Sequence, residues 1–175
     1  MNTYTVADYE KLSGEDRWEL IRGVFQVFMS PSPQASHQNA SIALGSALYI
    51  LAKKKKYKVF TAPFDVELSR DTVVQPDLFV VRDLKKLTKK RCVGSPDLIV
   101  EILSKSSVKR DTVDKLELYE SHGIAEYWIV DPDKKRIFVY VLEGDKYSGP
   151  VTYTKKDTVV SSIDPEIAVS LKEVL

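Results

Sequence analysis

Two carboxylates lie inside segments that are otherwise apolar, which is an unusual place for a charge. Asp77 follows Pro76 in VVQPDLFVV, and Glu101 lies in DLIVEIL. Burying a carboxylate is costly unless it is paired or binds a cation. Pro76 removes a hydrogen-bond donor from the strand ladder, which suggests an edge, a bulge or a strand end. We expect the two carboxylates to lie near the ends of neighbouring strands, with their side chains converging. Converging carboxylates favour a Mg²⁺ site and phosphodiester chemistry; the alternative is an ion pair with a nearby lysine.

The helix that follows the second carboxylate supplies a lysine. Its sequence, SSVKRDTVDKLELYE, places Asp111 and Lys115 four residues apart, where they can meet on one face, and predicts that Val113, Leu116 and Tyr119 face inward. From the first turns of this helix, Lys115 can lean over the carboxylates and hold a water or stabilise charge on a phosphate. The alternative is an exposed ion pair between Asp111 and Lys115, which contributes little to stability.

Hydrophobic periodicity and turn residues predict the elements that position these side chains. The predicted order is an opening helix (5–12), a hairpin (18–29) turning at Arg22-Gly23, a break at SPSP (30–33), a helix (34–55), strands at 58–68, 73–81 and 97–103, a helix (107–122), and strands at 126–131 and 136–142. The strand–helix–strand segment over 97–131 predicts a parallel, right-handed βαβ unit. We therefore expect an α/β fold with a central mixed sheet and flanking hairpins, in a single domain over residues 1–175.

The net charge hides an uneven distribution. The 175 residues carry 26 Lys and Arg against 25 Asp and Glu, a formal charge of +1 that argues against a protein that coats nucleic acid by bulk electrostatics. Residues 81–115 contain ten basic and five acidic side chains, so this segment carries +5 and the rest of the chain −4. Within it, the loop DLKKLTKKR joins the two carboxylate-bearing strands and should lie near the site. Its Lys89, Lys90 and Arg91 are candidate phosphate ligands; the alternative is a solvated lysine-rich loop.

Composition excludes several other kinds of site. One cysteine, Cys92, excludes an internal disulfide and a cysteine-rich zinc site, and two histidines, His37 and His122, are too few for a histidine metal cage. The polar N-terminus does not resemble a signal peptide, and the longest apolar stretch, 42–52, is too short to cross a bilayer. We expect a cytoplasmic protein without a membrane partner. The predicted hairpins over 18–28 and 126–142 expose strand edges, which favours a homodimer.

Together these segments resemble a known family. Six segments occur in the order found in the Uma-type restriction endonuclease family of the PD-(D/E)XK nuclease superfamily: WELIRG, SPSP before His37, QPDLFVV, PDLIVEILS, the helix with Asp111, Lys115 and Tyr119, and GIAEYWIVDP. The resemblance extends from about Tyr4 to Tyr140. It implies a restriction-endonuclease-like core of helix, three strands, helix and strand, which is the order that periodicity predicts.

The resemblance also implies roles for individual residues. Asp77 matches the metal-binding aspartate after proline, and Glu101 matches the acidic residue of the second motif. Ile102 would offer its backbone carbonyl to the metal. The lysine expected two residues after Glu101 is replaced by Leu103, and Lys115 on the following helix would take its place.

Two further residues match the family pattern, each with an alternative. Glu19 in WELIRG would be an additional metal or water ligand, or else a salt-bridge partner of Arg22. His37 would contact phosphate or position a ligand, or else bond to the local backbone at the start of its helix.

The sequence therefore predicts a Mg²⁺-dependent endonuclease, with Mn²⁺ as a substitute metal, that hydrolyses DNA phosphodiester bonds. Its catalytic residues would be Asp77, Glu101, Lys115 and Glu19. The main alternative is a non-catalytic nucleic-acid-binding or assembly protein that retains the nuclease fold, which the displaced lysine makes credible. A third hypothesis is a hydrolase of a smaller phosphate ester, which would require a closed pocket rather than an open basic groove.

Overall fold

The structure is a computed structural model that describes residues 3–12, 17–27, 34–105 and 107–175. In this part of the chain the helices are α1 (Val6–Tyr9), α2 (Ala35–Lys54) and α3 (Lys115–Ser121), with a π-helical turn over Arg110–Asp114 directly before α3. The strands are β1 (Trp18–Ile21), β2 (Val24–Val27), β3 (Lys58–Thr61), β4 (Asp65–Ser69), β5 (Thr72–Val74), β6 (Leu78–Val81), β7 (Arg91–Val93), β8 (Leu98–Ile102), β9 (Glu126–Asp131), β10 (Arg136–Glu143), β11 (Lys146–Thr154), β12 (Thr158–Val160) and β13 (Ala168–Ser170). The predicted break at SPSP lies outside the described residues.

A six-stranded mixed sheet forms the centre of the fold, in the order β11-β10-β9-β8-β6-β3. β8 and β9 are parallel and α3 lies between them in the chain, so the parallel βαβ unit predicted over 97–131 is confirmed, and its right-handedness stays a prediction. The other neighbours are antiparallel, which confirms the mixed sheet. In the register of β6 and β8, Leu78 pairs with Val100. The residue before β6, Asp77, therefore comes level with Glu101.

There is also a second sheet, in the order β2-β1-β5-β4-β7. It contains one half of each of two segments that were predicted as single strands. The segment 58–68 forms β3 in the central sheet and β4 in the second sheet, and 73–81 forms β5 and β6, so the prediction of two continuous strands is wrong. Pro63 and Pro76 lie at the two breaks, because a proline has no N–H to continue a strand ladder. The segment Gln75-Pro76-Asp77 is the point where the chain crosses between the sheets.

The two faces of the central sheet are covered by different elements. On one face, α2 contributes Leu44 and Leu48 to a core that also contains Leu78. Gly45 lets α2 approach this face closely, since a Cβ there would lie 3.2 Å from Leu78 Cδ2. On the other face, the second sheet and α3 enclose a core that includes Val66, Val74, Phe79, Ile99, Leu118, Tyr119 and Tyr127. Because side chains alternate along β8, Glu101 lies on this second face.

The helix predicted over 107–122 is present, but its first half has a different register. Arg110–Asp114 form a π-helical turn, which adds a residue to the turn and rotates the side chains relative to α3. Val113, predicted to face inward, is 53% exposed, and that prediction is wrong. Asp111 and Lys115 are buried instead.

The hairpin of β1 and β2 confirms the turn at Arg22-Gly23, where both residues have positive φ angles, of 50° and 76°. β2 is an edge of the second sheet. The other predicted edge, in the hairpin over 126–142, is wrong, because β9 pairs with β8 and β10 pairs with the additional strand β11. The homodimer stays a prediction. Among the described residues, no helix has the length and apolarity needed to cross a membrane.

Candidate active site

The structure brings Asp77 and Glu101 together where β6 and β8 lie side by side. Asp77 directly precedes β6, and its Oδ2 accepts a hydrogen bond of 2.8 Å from the backbone N–H of Ile102 at the end of β8. The backbone N–H of Asp77 in turn lies 3.4 Å from Glu101 Oε2. These contacts hold both carboxylates at one end of the central sheet and place Ile102 beside them.

Lys115 is buried among carboxylates. Its Nζ donates to Glu101 Oε1 at 2.7 Å and to Glu19 Oε1 at 3.1 Å. Burial alone would lower the pKa of the Lys115 amine, but the Glu101 and Glu19 carboxylates outweigh that effect and hold the pKa above its usual value. Lys115 and Asp111 are only 2% and 1% exposed, so the alternative of an exposed pair between them is wrong.

Two donors hold one oxygen of Glu101. Its Oε1 accepts hydrogen bonds of 2.7 Å from Lys115 and from the hydroxyl of Tyr119. Tyr119 lies one helical turn beyond Lys115 on α3, so the two side chains reach the same strand. Burial raises the pKa of the Glu101 carboxyl, against the opposing effect of the Lys115 ammonium. Burial, with the nearby Glu101 charge, also raises the pKa of Tyr119, so its hydroxyl remains a donor.

Glu19 on β1 joins the cluster from the second sheet. Its Oε1 accepts a hydrogen bond of 2.8 Å from the backbone N–H of Gln75 in addition to the contact from Lys115. Its Oε2 is buried and has no hydrogen-bond partner among the described residues. Arg22 pairs with Glu117 at 3.2 Å, so the alternative of a salt bridge between Glu19 and Arg22 is wrong.

His37, in the first turn of α2, lies beside the cluster. Its Nε2 is 3.3 Å from Asp77 Oδ2, and this hydrogen bond raises the pKa of His37 against the opposing effect of burial. Its Nδ1 is buried and, within the described part of the chain, has no hydrogen-bond partner. The alternative of a side-chain bond to the local backbone is therefore wrong, and His37 orients Asp77.

A cavity of about 930 Å³ opens over these side chains. The predicted site residues that line it are Glu19, His37, Asp77, Glu101, Ile102 and Lys115. Arg17 and Arg110 add positive charge to the lining, and α2 forms one wall. The cavity therefore combines fixed carboxylates with cationic side chains.

The basic loop lies elsewhere, so the prediction that it lies near the site is wrong. Lys89, Lys90 and Arg91 line a separate, open pocket. Arg91 belongs to β7, which pairs in parallel with β4 at the edge of the second sheet. Its guanidinium binds Glu10 and Glu67. Because β7 pairs with β4, the loop lies away from the cavity. Arg91 therefore forms ion pairs within the second sheet and its surroundings rather than contacts in the cavity.

The donor set of the cavity fits a hard divalent cation. Three carboxylates, from Glu19, Asp77 and Glu101, line it together with the Lys115 amine. Among the described residues, no group of three or more His, Cys, Asp or Glu side chains is placed so that together they could hold a metal ion. Mg²⁺, however, commonly binds through one or two carboxylates and keeps several waters. The buried Oε2 of Glu19 is a further oxygen whose hydrogen-bonding capacity a hydrated cation would satisfy.

Three residues of the site were not predicted from the sequence: Tyr119, Arg17 and Arg110. The pattern predicts Tyr119 only as an inward-facing residue, although its spacing of four from Lys115 is a signal for a second donor to Glu101. Arg110 lines the cavity from the π-helical turn. Helical periodicity does not indicate such a turn, so no sequence signal identified Arg110.

Comparisons with known proteins give two informative matches. The family model described as "Uma2: Putative restriction endonuclease" matches residues 6–171. Among solved structures, the chain is similar to a protein from Anabaena variabilis ATCC 29413, described as "a putative nuclease belonging to DUF820". The TM-score is 0.78 and the sequence identity 22%, over 97% of this chain and 96% of that chain. This likeness confirms the predicted restriction-endonuclease-like fold. No curated protein matches the chain.

Proposed function

Because the chain belongs to the Uma2 family, we propose that it is a metal-dependent endonuclease that hydrolyses phosphodiester bonds in DNA. The observation that carries the proposal is the arrangement of charged side chains that line the cavity. The Lys115 amine lies between Glu101 and Glu19, and Asp77 lies beside Glu101. Carboxylates that can hold a cation next to a fixed ammonium are the groups that phosphoryl transfer requires.

Asp77 and Glu101 would hold Mg²⁺ or Mn²⁺, with the backbone carbonyl of Ile102 as a further ligand and Glu19 in support. When bound, the cation polarises the phosphate and lowers the pKa of the attacking water. His37 orients Asp77 through its contact with Oδ2. Such partners of metal ligands typically matter for both metal affinity and activity.

Lys115 acts as a fixed positive charge rather than as a base. Because its pKa lies above the usual value, the amine carries a proton at neutral pH and does not accept one from water. It orients the attacking water or stabilises the negative charge that develops on the phosphate. Glu101 and Glu19 fix its position through the two short contacts.

The non-catalytic alternative is motivated by the lysine that is missing after Glu101. The 2.7 Å contact between Lys115 and Glu101 supplies a lysine at that carboxylate from the following helix. The contact supports a catalytic role for Lys115, and it is also the ion pair that the sequence offers as the alternative to a metal site at Glu101.

A plasmid-nicking assay tests the proposal. Purified protein is incubated with supercoiled plasmid in Mg²⁺, Mn²⁺ or EDTA, beside the variants Asp77→Asn, Glu101→Gln and Lys115→Met. Val160→Ala, at an exposed position on β12, is the matched control. We expect metal-dependent nicking by the wild type and by the control. The nicking rates of the three variants should be lower by a factor of about a hundred or more.

Equal nicking by the wild type and by Asp77→Asn, or no nicking with either metal, would contradict the proposal. A metal-dependent rise in melting temperature that requires Asp77, without nicking, would support the non-catalytic alternative. Hydrolysis of bis-para-nitrophenyl phosphate but not of plasmid would support a hydrolase of smaller esters.

Assembly and location belong to the same proposal. A homodimer would present two active sites to a duplex, and the exposed edge β2, with Val24 and Val27, offers a surface for pairing. Light scattering should give twice the chain mass of 19.8 kDa, and the mass of one chain would contradict the dimer. The proposed location is the reducing cytoplasm, with which a buried free Cys92 agrees.

A further inference from the structure

One wall of the active-site cavity exposes apolar side chains that metal binding and phosphodiester hydrolysis do not require. This wall is the face of α2 that lines the cavity between His37 and Ile50. His37 touches Asp77 at one end of the wall, and Tyr49 lies twelve residues further along the helix. At a rise of about 1.5 Å per residue, the wall extends about 18 Å from the carboxylates.

The wall exposes large apolar side chains. Ile42, Tyr49 and Ile50 are 67%, 55% and 59% exposed and all line the cavity. The opposite face of the same helix buries Leu44 and Leu48 completely in the core. Apolar side chains grouped at the surface of a cleft indicate a binding surface rather than scattered exposure.

Two lysines follow Tyr49 on α2, just beyond the end of the wall. Lys53 lies one turn after Tyr49, and its Nζ is 5.9 Å from the centre of the Tyr49 ring. Lys54 follows, and both lysines are exposed. An aromatic ring next to basic side chains, in a groove, is the combination with which proteins bind single-stranded nucleic acid, because bases stack on the ring and phosphates contact the cations. Apolar side chains such as Ile42 can also contact or wedge between bases.

We propose that this wall, with Ile42, Tyr49 and Ile50, and with Lys53 just beyond its end, binds an unpaired stretch of the DNA strand next to the bond that is cut. The inference rests on the proposed function and narrows its substrate class to DNA with an overhang, a flap or an unpaired loop. A cavity of about 930 Å³ is in the range of about 300–1,000 Å³ that suits small ligands. It therefore has room for a short unpaired segment.

Binding without cleavage tests this inference separately from catalysis. Fluorescence anisotropy in EDTA measures the affinity of the full chain for a labelled oligothymidylate of about twelve nucleotides and for a blunt duplex of equal length. The variants are Tyr49→Ala, Tyr49→Phe and Lys53→Gln. Lys155→Gln, at an exposed turn after β11, is the charge-matched control. Thermal unfolding checks that each variant is folded.

We expect the wild type to prefer the oligothymidylate over the duplex. Tyr49→Ala should weaken oligothymidylate binding about fivefold to a hundredfold, the loss that corresponds to one stacked base, and Tyr49→Phe should retain the affinity because it keeps the ring. Lys53→Gln should reduce the slope of log affinity against log salt by about 0.7, which corresponds to one phosphate contact on a single strand. Lys155→Gln should leave that slope unchanged.

Unchanged binding by Tyr49→Ala, or equal affinity for duplex and oligothymidylate, would overturn the inference. So would a dimer in light scattering that Tyr49→Ala converts to a monomer, because the wall would then be covered by a second copy of the chain. If the oligothymidylate binds as expected but neither the supercoiled plasmid nor a DNA hairpin with an unpaired loop is cut in Mg²⁺ or Mn²⁺, the strand-binding wall is supported and the proposed nuclease activity is refuted. If nicking requires Asp77 but binding is insensitive to Tyr49, only the wall is refuted.

Discussion

Removing the Lys115 amine should destabilise the protein strongly, because it leaves two buried carboxylates without their cation. Lys115, Glu19 and Glu101 are 2%, 2% and 3% exposed, and the amine lies 3.1 and 2.7 Å from the two carboxylates. Breaking a buried pair by deleting one partner typically costs about 3–5 kcal/mol. Lys115→Met keeps most of the side-chain volume, so the loss reports the charge rather than a cavity. We expect a loss of that size in urea unfolding at neutral pH.

Lys146→Met is the matched control. Lys146 also lies 2.7 Å from a glutamate, Glu120, but its side chain is 82% exposed. Exposed pairs contribute little to stability, so its removal should have almost no effect on the unfolding midpoint. The comparison separates the effect of burial from that of distance.

The pH dependence of Lys115→Met provides a second check. Without the amine, burial raises the pKa of Glu101 further above its unfolded value, so the folded state binds more protons than the unfolded state. Stability of the variant should therefore increase as pH falls from about 8 to about 5. A loss below about 1 kcal/mol at neutral pH, or a variant whose stability falls on acidification over this range, would refute the reasoning.

Three further variants follow from individual contacts. His37→Ala should lower metal-dependent nicking about 10- to 100-fold by releasing Asp77, as is typical for a partner of a metal ligand, while unfolding in EDTA changes little; unchanged nicking would contradict this role. Tyr119→Phe should cost about 1–3 kcal/mol in urea unfolding, because Glu101 Oε1 loses a buried donor; a neutral effect would show that the hydroxyl is dispensable. Arg91→Ala should lower stability, because Glu10 and Glu67 lose their ion-pair partner, but it should leave nicking unchanged. A loss of nicking in folded protein would show that the basic loop contributes to the active site.

The central part of the fold could be predicted from local sequence patterns. The apolar runs around Asp77 and Glu101, the helix that follows and the strand at 126–131 predict a βαβ unit in a mixed sheet, and the structure has that unit. The convergence of the two carboxylates could be predicted because each interrupts an apolar strand, and a buried charge requires a partner. These are effects of local composition, which a single sequence contains.

The division into two sheets could not be predicted from the same patterns. The segments 58–68 and 73–81 each look like one strand, and only their pairing partners show that each contributes to both sheets. Pro63 and Pro76 were signals for the breaks, since neither can continue a ladder. Where the chain turns after such a break depends on contacts with distant strands.

The errors at the site have a similar origin. The loop with Arg91 follows the Asp77 strand along the chain, and sequence proximity suggested spatial proximity; the pairing of β7 with β4 places it on the other sheet. Val113 faces outward because a π-helical turn shifts the register, and this turn leaves no periodic signal. Glu19, more than eighty residues before Glu101 in the chain, meets Lys115 only through the packing of the two sheets.

The most direct test of the account is the location of a bound cation. Crystals grown or soaked with Mn²⁺ would give an anomalous density peak wherever the ion is held. We predict one peak in contact with the carboxylates of Asp77 and Glu101, lost in Asp77→Asn. A peak bound elsewhere, or no peak between Asp77 and Glu101 at saturating Mn²⁺, would contradict a metal-dependent active site in this cavity.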